Sequence, residues 1–72
     1  PRKERKTFAE RKEFELLERE LEQLKAEKSQ LEELFNSGGS PDEIMKASAR
    51  YEEIKDLIDE KEMRWLELSE KD

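Results

Sequence analysis

Six basic side chains, Arg2, Lys3, Arg5, Lys6, Arg11 and Lys12, crowd the first twelve positions, opposed there only by Glu4 and Glu10. A run of cations at this density can neutralise nucleic-acid phosphates and release their counterions. It can equally serve as a solubilising linker, and residue types alone do not choose between the two. Arg64, Lys61 and Lys71 stand ready to extend the strip if the far end of the chain returns to it, although Glu13, Glu15, Glu67 and Glu70 are interleaved with them. The candidate nucleic-acid-binding set is therefore Arg2, Lys3, Arg5, Lys6, Arg11, Lys12 and Arg64. The first twelve residues carry net +4 and the remaining sixty net −10, which together give −6. A basic arm leads into an acidic body.

Other chemistry is poorly provided for. The chain has no His and no Cys, which removes nucleophile–His pairs and thiolate or imidazole zinc sites. Gly38 and Gly39 lack the surrounding frame of a phosphate-binding loop. Carboxylates abound, but di-iron helical sites combine them with a Glu-x-x-His motif that is missing here. Glu20, Glu32, Glu33, Glu52 and Glu53 read as solvated helix faces. The expectation is a non-catalytic chain with no cofactor and no metal.

What must position the basic strip follows from composition and spacing. Half of the 72 residues are charged and 32% are apolar, a balance shared by disordered segments and coiled coils. A 4-3 stagger decides between them. It selects Phe14, Leu17, Leu21, Leu24, Lys28, Leu31 and Phe35 in the first half. In the second half it selects Ile44, Ala47, Tyr51, Ile54, Ile58, Lys61, Trp65 and Leu68. All but the two lysines are apolar, which is the seam of a left-handed coiled coil. No apolar run exceeds two residues, so neither a membrane span nor a signal-peptide core is expected. The lack of cysteine fits a cytoplasmic protein. A start at Pro1 rather than Met suggests a fragment of a longer chain.

The helix boundaries are legible. Thr7 with Glu10, and Ser40 with Glu43, have capping-box spacing, and Pro41 suits a first helical position. Between them "NSGG" supplies residues tolerant of positive φ, as a helix end requires. The expected organisation is a basic linker arm over 1–6 and a helical hairpin over 7–72, with helices at 8–35 and 41–69 and a turn at 36–40. So short a turn makes the helices antiparallel neighbours. The fold class is all-α, a two-helix antiparallel coiled-coil hairpin.

In that register Phe35 meets Ile44, Leu24 meets Ile54, Leu21 meets Ile58, and Phe14 meets Trp65 at the open end. Lys28 falls opposite Tyr51 and Lys61 opposite Leu17, each with its stem on apolar surface. Glu15–Arg19, Glu60–Arg64 and Glu67–Lys71 are spaced for i,i+4 ion pairs. Arg2, Lys3, Arg5 and Lys6 precede the Thr7 cap and are expected to move freely. Phe14 and Trp65 read as an aromatic plug rather than a base-stacking platform. Leu16, Met63 and Leu66 fall on outward positions, either as a docking patch or as ordinary surface apolars.

Both ends of the sequence resemble one family. "PRKERKTFAERKEFELLE" is similar to the opening of the C-terminal domain of Uup-type ABC-F ATPases. There a basic linker precedes a Ser/Thr–Tyr/Phe pair, here Thr7–Phe8, and a Glu-rich stretch follows. "RWLELSE", Arg64 to Glu70, resembles that domain's closing Arg-Trp-x-Glu-Leu-x-Glu. The turn departs from the family pattern, and helix one lacks the early proline its members often carry. The resemblance implies a helical hairpin that follows tandem ATP-binding cassettes and binds DNA, with ribosomal RNA a further target among wider relatives. Its implied partners are nucleic acid and the cassettes of the same parent chain. A second reading is a structural coiled coil that docks on those cassettes or forms a weak homodimer.

Overall fold

The computed structural model describes residues 4–71, and the Arg2 and Lys3 of the expected strip lie outside them. Two helices make up the fold, α1 (Phe8–Ser37) and α2 (Pro41–Ser69), packed as a hairpin 55 × 16 × 16 Å. Thr7 begins α1 with a complete reciprocal box. The Glu10 N–H donates to Thr7 Oγ1 at 3.1 Å, and the Thr7 N–H donates to Glu10 Oε1 at 2.9 Å. Ser40 caps α2 with only half of that device. The Glu43 N–H donates to Ser40 Oγ at 3.2 Å, but the Glu43 carboxylate leans toward Gly39 instead of closing the box.

Helix α1 runs to Ser37, two residues beyond the expected Phe35, and the turn shrinks to Gly38, Gly39 and Ser40. The two glycines serve different needs. Gly38 has φ +79° with open space around it, so its requirement is conformational; its N–H closes the helix on Leu34 O at 3.0 Å. Gly39 has no such φ, but a Cβ there would sit 3.0 Å from Glu43 Oε2 and 3.2 Å from Leu34 Cδ1. One glycine supplies a backbone angle and the other supplies room.

The 4-3 stagger is the core. Leu17, Leu21, Ala47, Ile54, Ile58 and Leu68 are buried, and Ile54 and Leu68 show no exposed surface. Leu24, Leu31 and Trp65 pack around Leu21, Ile54 and Ile58. The remaining seam positions are half-buried, both lysines included. Lys28 holds its ammonium 5.8 Å from the Tyr51 ring centre, as its place opposite that residue implied. The aromatic plug forms, with Phe14 and Trp65 stacked at 5.5 Å and 18° between planes. Near the turn Phe35 stands edge-on to Tyr51, with ring centres 5.5 Å apart at 79°.

A candidate nucleic-acid interface beside a closed end

Heptad positions beside the seam build the polar architecture of the hairpin. Glu13, Glu20 and Glu27 recur every seven residues on α1 and so share one flank; Arg64, Leu57 and Arg50 recur likewise on α2 and face them in reverse order. Arg64 grips Glu13 with two parallel bonds, Nε to Oε2 at 2.8 Å and Nη2 to Oε1 at 2.9 Å. Arg50 grips Glu27 in the same way at 2.7 and 2.9 Å. Each guanidinium also reaches an acid one turn along its own helix, Glu67 from Arg64 and Glu53 from Arg50. Fork-to-carboxylate geometry is the strong form of a surface ion pair. Leu57 leaves the middle rung empty, and Lys61 reaches Glu20 from the next turn at 3.3 Å. The vacant rung opens a shallow groove of about 360 Å³ between Leu24, Leu57 and the neighbouring charged groups.

At the open end a further clamp forms. Lys71 binds Glu10 at 2.5 Å with Glu4 beyond it at 3.9 Å, while Lys6 donates to the Lys71 carbonyl at 2.6 Å. The Lys6 ammonium also lies 4.7 Å from the centre of the Phe14 ring. These contacts redraw the basic strip. Lys6 is held against the end of α2 rather than moving with a free arm. Arg64, expected to broaden the patch, spends its charge on Glu13 and Glu67. The expected Glu60–Arg64 and Glu67–Lys71 pairs give way to these cross-helix partners, and Glu15–Arg19 makes no ion pair among the described residues. A rigid fork meeting a carboxylate on the facing helix outcompetes two mobile side chains on one helix.

What remains of the strip is Arg5, Arg11 and Lys12, all exposed and in no ion pair among the described residues. Beside them stands a residue that periodicity does not pick out. Phe8 is 77% exposed, and Lys12 Nζ lies 5.5 Å from its ring centre. Its signal was available, since an aromatic at the first helical position, ahead of the seam, has no core to enter. The outward apolars are exposed as well. Met63 and Leu66, three apart on α2, are neighbours, whereas Leu16 lies beside Glu13 and Glu20 on α1.

The clamp has a pH signature. Lys71 and the Thr7 N–H hold the Glu10 carboxyl down to about 2, and Arg64 and Arg50 lower Glu13 and Glu27. A carboxylate whose pKa is depressed on folding contributes stability above its unfolded value near 4.5 and loses it as pH falls toward the folded value. Replacing Glu10, Glu13 and Glu27 together by Gln is thus expected to lower the melting temperature at pH 7. The gap from the parent should narrow between pH 4.5 and about 2. A gap that stays constant across that range would mean the three carboxylates contribute by packing alone.

Described residues 4–71 thus define a two-helix hairpin stapled at intervals by ion pairs. The family model described as "ABC transporter C-terminal domain" matches residues 5–70, and the chain belongs to that family. No curated protein and no solved structure matches the chain. Among the described residues no helix is long and apolar enough to cross a membrane, and no acidic cluster is arranged to hold a metal ion.

Proposed function

We propose that this chain is the accessory hairpin of a soluble, Uup-type ABC-F ATPase in the cytoplasm, without catalytic activity of its own, and that it holds nucleic acid weakly through the start of α1. The observation that carries this reading is the placement of Arg11 and Lys12. They occupy the opening turns of α1, where the helix dipole disfavours cations, and both remain exposed and unpaired among the described residues. The Lys71 carbonyl holds Lys6, and Glu13 and Glu67 hold Arg64, yet Arg11, Lys12 and Arg5 are left facing solvent. Charge that folding does not use is available to a ligand. Phe8 adds a flat apolar surface to the same corner, suited to an unstacked base. The acidic body keeps the affinity low and confines contact to this corner.

The test is a salt titration of DNA and RNA binding by the 72-residue chain. With three or four phosphates contacted at once, log K should fall against log salt with a slope of about −3 to −4 on duplex DNA. Dissociation constants at physiological salt should lie at about 10⁻⁴ to 10⁻⁶ M regardless of sequence. A salt-independent affinity, or none at low salt, would hand the function to the second reading. That reading is docking on the parent cassettes through Met63 and Leu66, which are neighbouring and exposed.

A further inference from the structure

One flank of the hairpin is sewn shut by Glu13–Arg64, Glu20–Lys61 and Glu27–Arg50. On the opposite flank the cross-helix contact is a hydrogen bond, Tyr51 Oη donating to Glu32 Oε2 at 2.8 Å. The heptad pattern puts Glu18 and Glu62, and likewise Lys25 and Lys55, at matching positions on this flank of the two helices, like charge across from like. No cross-helix ion pair forms on this flank among the described residues; Lys55 turns instead to Glu52 on its own helix at 3.0 Å. Along α1 the flank reads Arg11, Glu18, Lys25, Glu32 at seven-residue intervals, a strictly alternating series that reverses sign about its midpoint. All four are exposed, and Lys55 and Glu62 are half-buried.

We infer that this flank recognises a second copy of the chain. Two hairpins laid flank to flank and antiparallel, with the two-fold axis midway between Glu18 and Lys25, bring Glu18 to the second copy's Lys25 and Arg11 to its Glu32. On α2 the same operation brings Glu62 to the second copy's Lys55. A two-fold contact repeats each of these three pairs, so every charge in the series meets its opposite. A parallel arrangement would instead set Glu18 against Glu62. Bands that repel within one copy and attract between copies select the antiparallel pairing and exclude the parallel one. Affinity is limited by an acidic rim, Glu15, Glu22, Glu52 and Asp59, and by the lack of an apolar centre. The dimer should therefore be weak, with a dissociation constant on the order of 10⁻³ M, since exposed ion pairs contribute little each.

A charge-swap experiment tests it on the 72-residue chain at millimolar concentration and low salt. One variant carries Lys25→Glu and Lys55→Glu, the other Glu18→Lys and Glu62→Lys, with circular dichroism confirming helix in both. Each variant alone should sediment as a monomer, while an equimolar mixture should associate at least about tenfold more tightly than the parent, because the four central charges of each face, at positions 18, 25, 55 and 62, are now of one sign. A mixture that stays monomeric with both variants helical overturns the inference. Independently of the variants, amide shifts of the parent on dilution should change at Arg11, Glu18, Lys25, Glu32, Lys55 and Glu62. Changes confined to the Glu13–Arg64 flank, or none up to millimolar concentration, also overturn it.

Discussion

Replacing Ile54 by Ala is expected to leave the chain largely unfolded at room temperature. Ile54 has no exposed surface and lies with Leu21 and Ile58 at the centre of the seam, ringed by Leu24, Leu31 and Trp65. Truncating a buried Ile costs about 2–5 kcal/mol, because neighbours held by two long helices cannot collapse into the space. A single seam in a chain of this size supplies no more than about 3–5 kcal/mol in total. The loss is comparable to the whole. Leu21→Ala and Ile58→Ala should act in the same direction. Met45, 71% exposed on the outer side of α2, is the control: its change to Ala should move stability by no more than about 0.5 kcal/mol. Thermal melts followed by circular dichroism decide the matter. An Ile54→Ala chain that keeps the parent's midpoint would mean that stability resides in the flanking ion pairs and not in the seam.

The seam was readable because burial imposes a period, and a period is visible in one dimension. Every position of the stagger from Phe14 to Leu68 is at least half-buried, and Thr7, Gly38 and Ser40 sit at the boundaries their chemistry suits. The ion pairs were harder to read, for a physical reason. Spacing within one helix offers Arg64 a partner at Glu60, but its true partner, Glu13, is 51 residues away and becomes adjacent only once the register of the two helices is fixed to the residue. The candidate site was affected in the same way. The cluster of cations was visible, but which of them folding would consume depended on groups from the other half of the hairpin, the Lys71 carbonyl for Lys6 and Glu13 on α1 for Arg64. Lys6 and Arg64 were taken up by the hairpin, and Phe8 was overlooked because it lies ahead of the periodic segment.

Reversing the charges that remain should abolish nucleic-acid binding and leave the hairpin intact. With Arg5, Arg11 and Lys12 all changed to Glu, three phosphate contacts become three repulsions, and affinity at low salt should fall by at least about a hundredfold. Unfolding cannot masquerade as this loss. Acidic groups near the start of α1 suit the helix dipole, which favours anions there by about 0.3–1 kcal/mol each, so the melting temperature should hold or rise slightly. Changing Ser37 or Ser40 at the other end of the rod should leave binding untouched. Changing Arg64 to Ala tests the redrawn strip from the other side: it should weaken the hairpin by freeing Glu13 yet leave binding nearly as it was. If the triple reversal binds as well as the parent, the basic segment is a linker, and docking through Met63 and Leu66 becomes the function.

The placement of both chain ends at one end of the rod has a bearing on how the hairpin yields to load. Both strands of the rod emerge at the end held by Lys6, Glu10 and Lys71, while Gly38 and Gly39 close the other. Tension drawn between residues 4 and 71 therefore peels the helices apart instead of sliding one along the other, and the ties break in sequence. The clamp goes first, then Glu13–Arg64 with the stacked Phe14 and Trp65. Opening then meets Glu20–Lys61 and the buried Leu21, Ile54 and Ile58, and it should halt there before Glu27–Arg50 is reached. The hairpin would thus have a metastable part-open length set by its most buried layers, and Ile58→Ala would remove that pause.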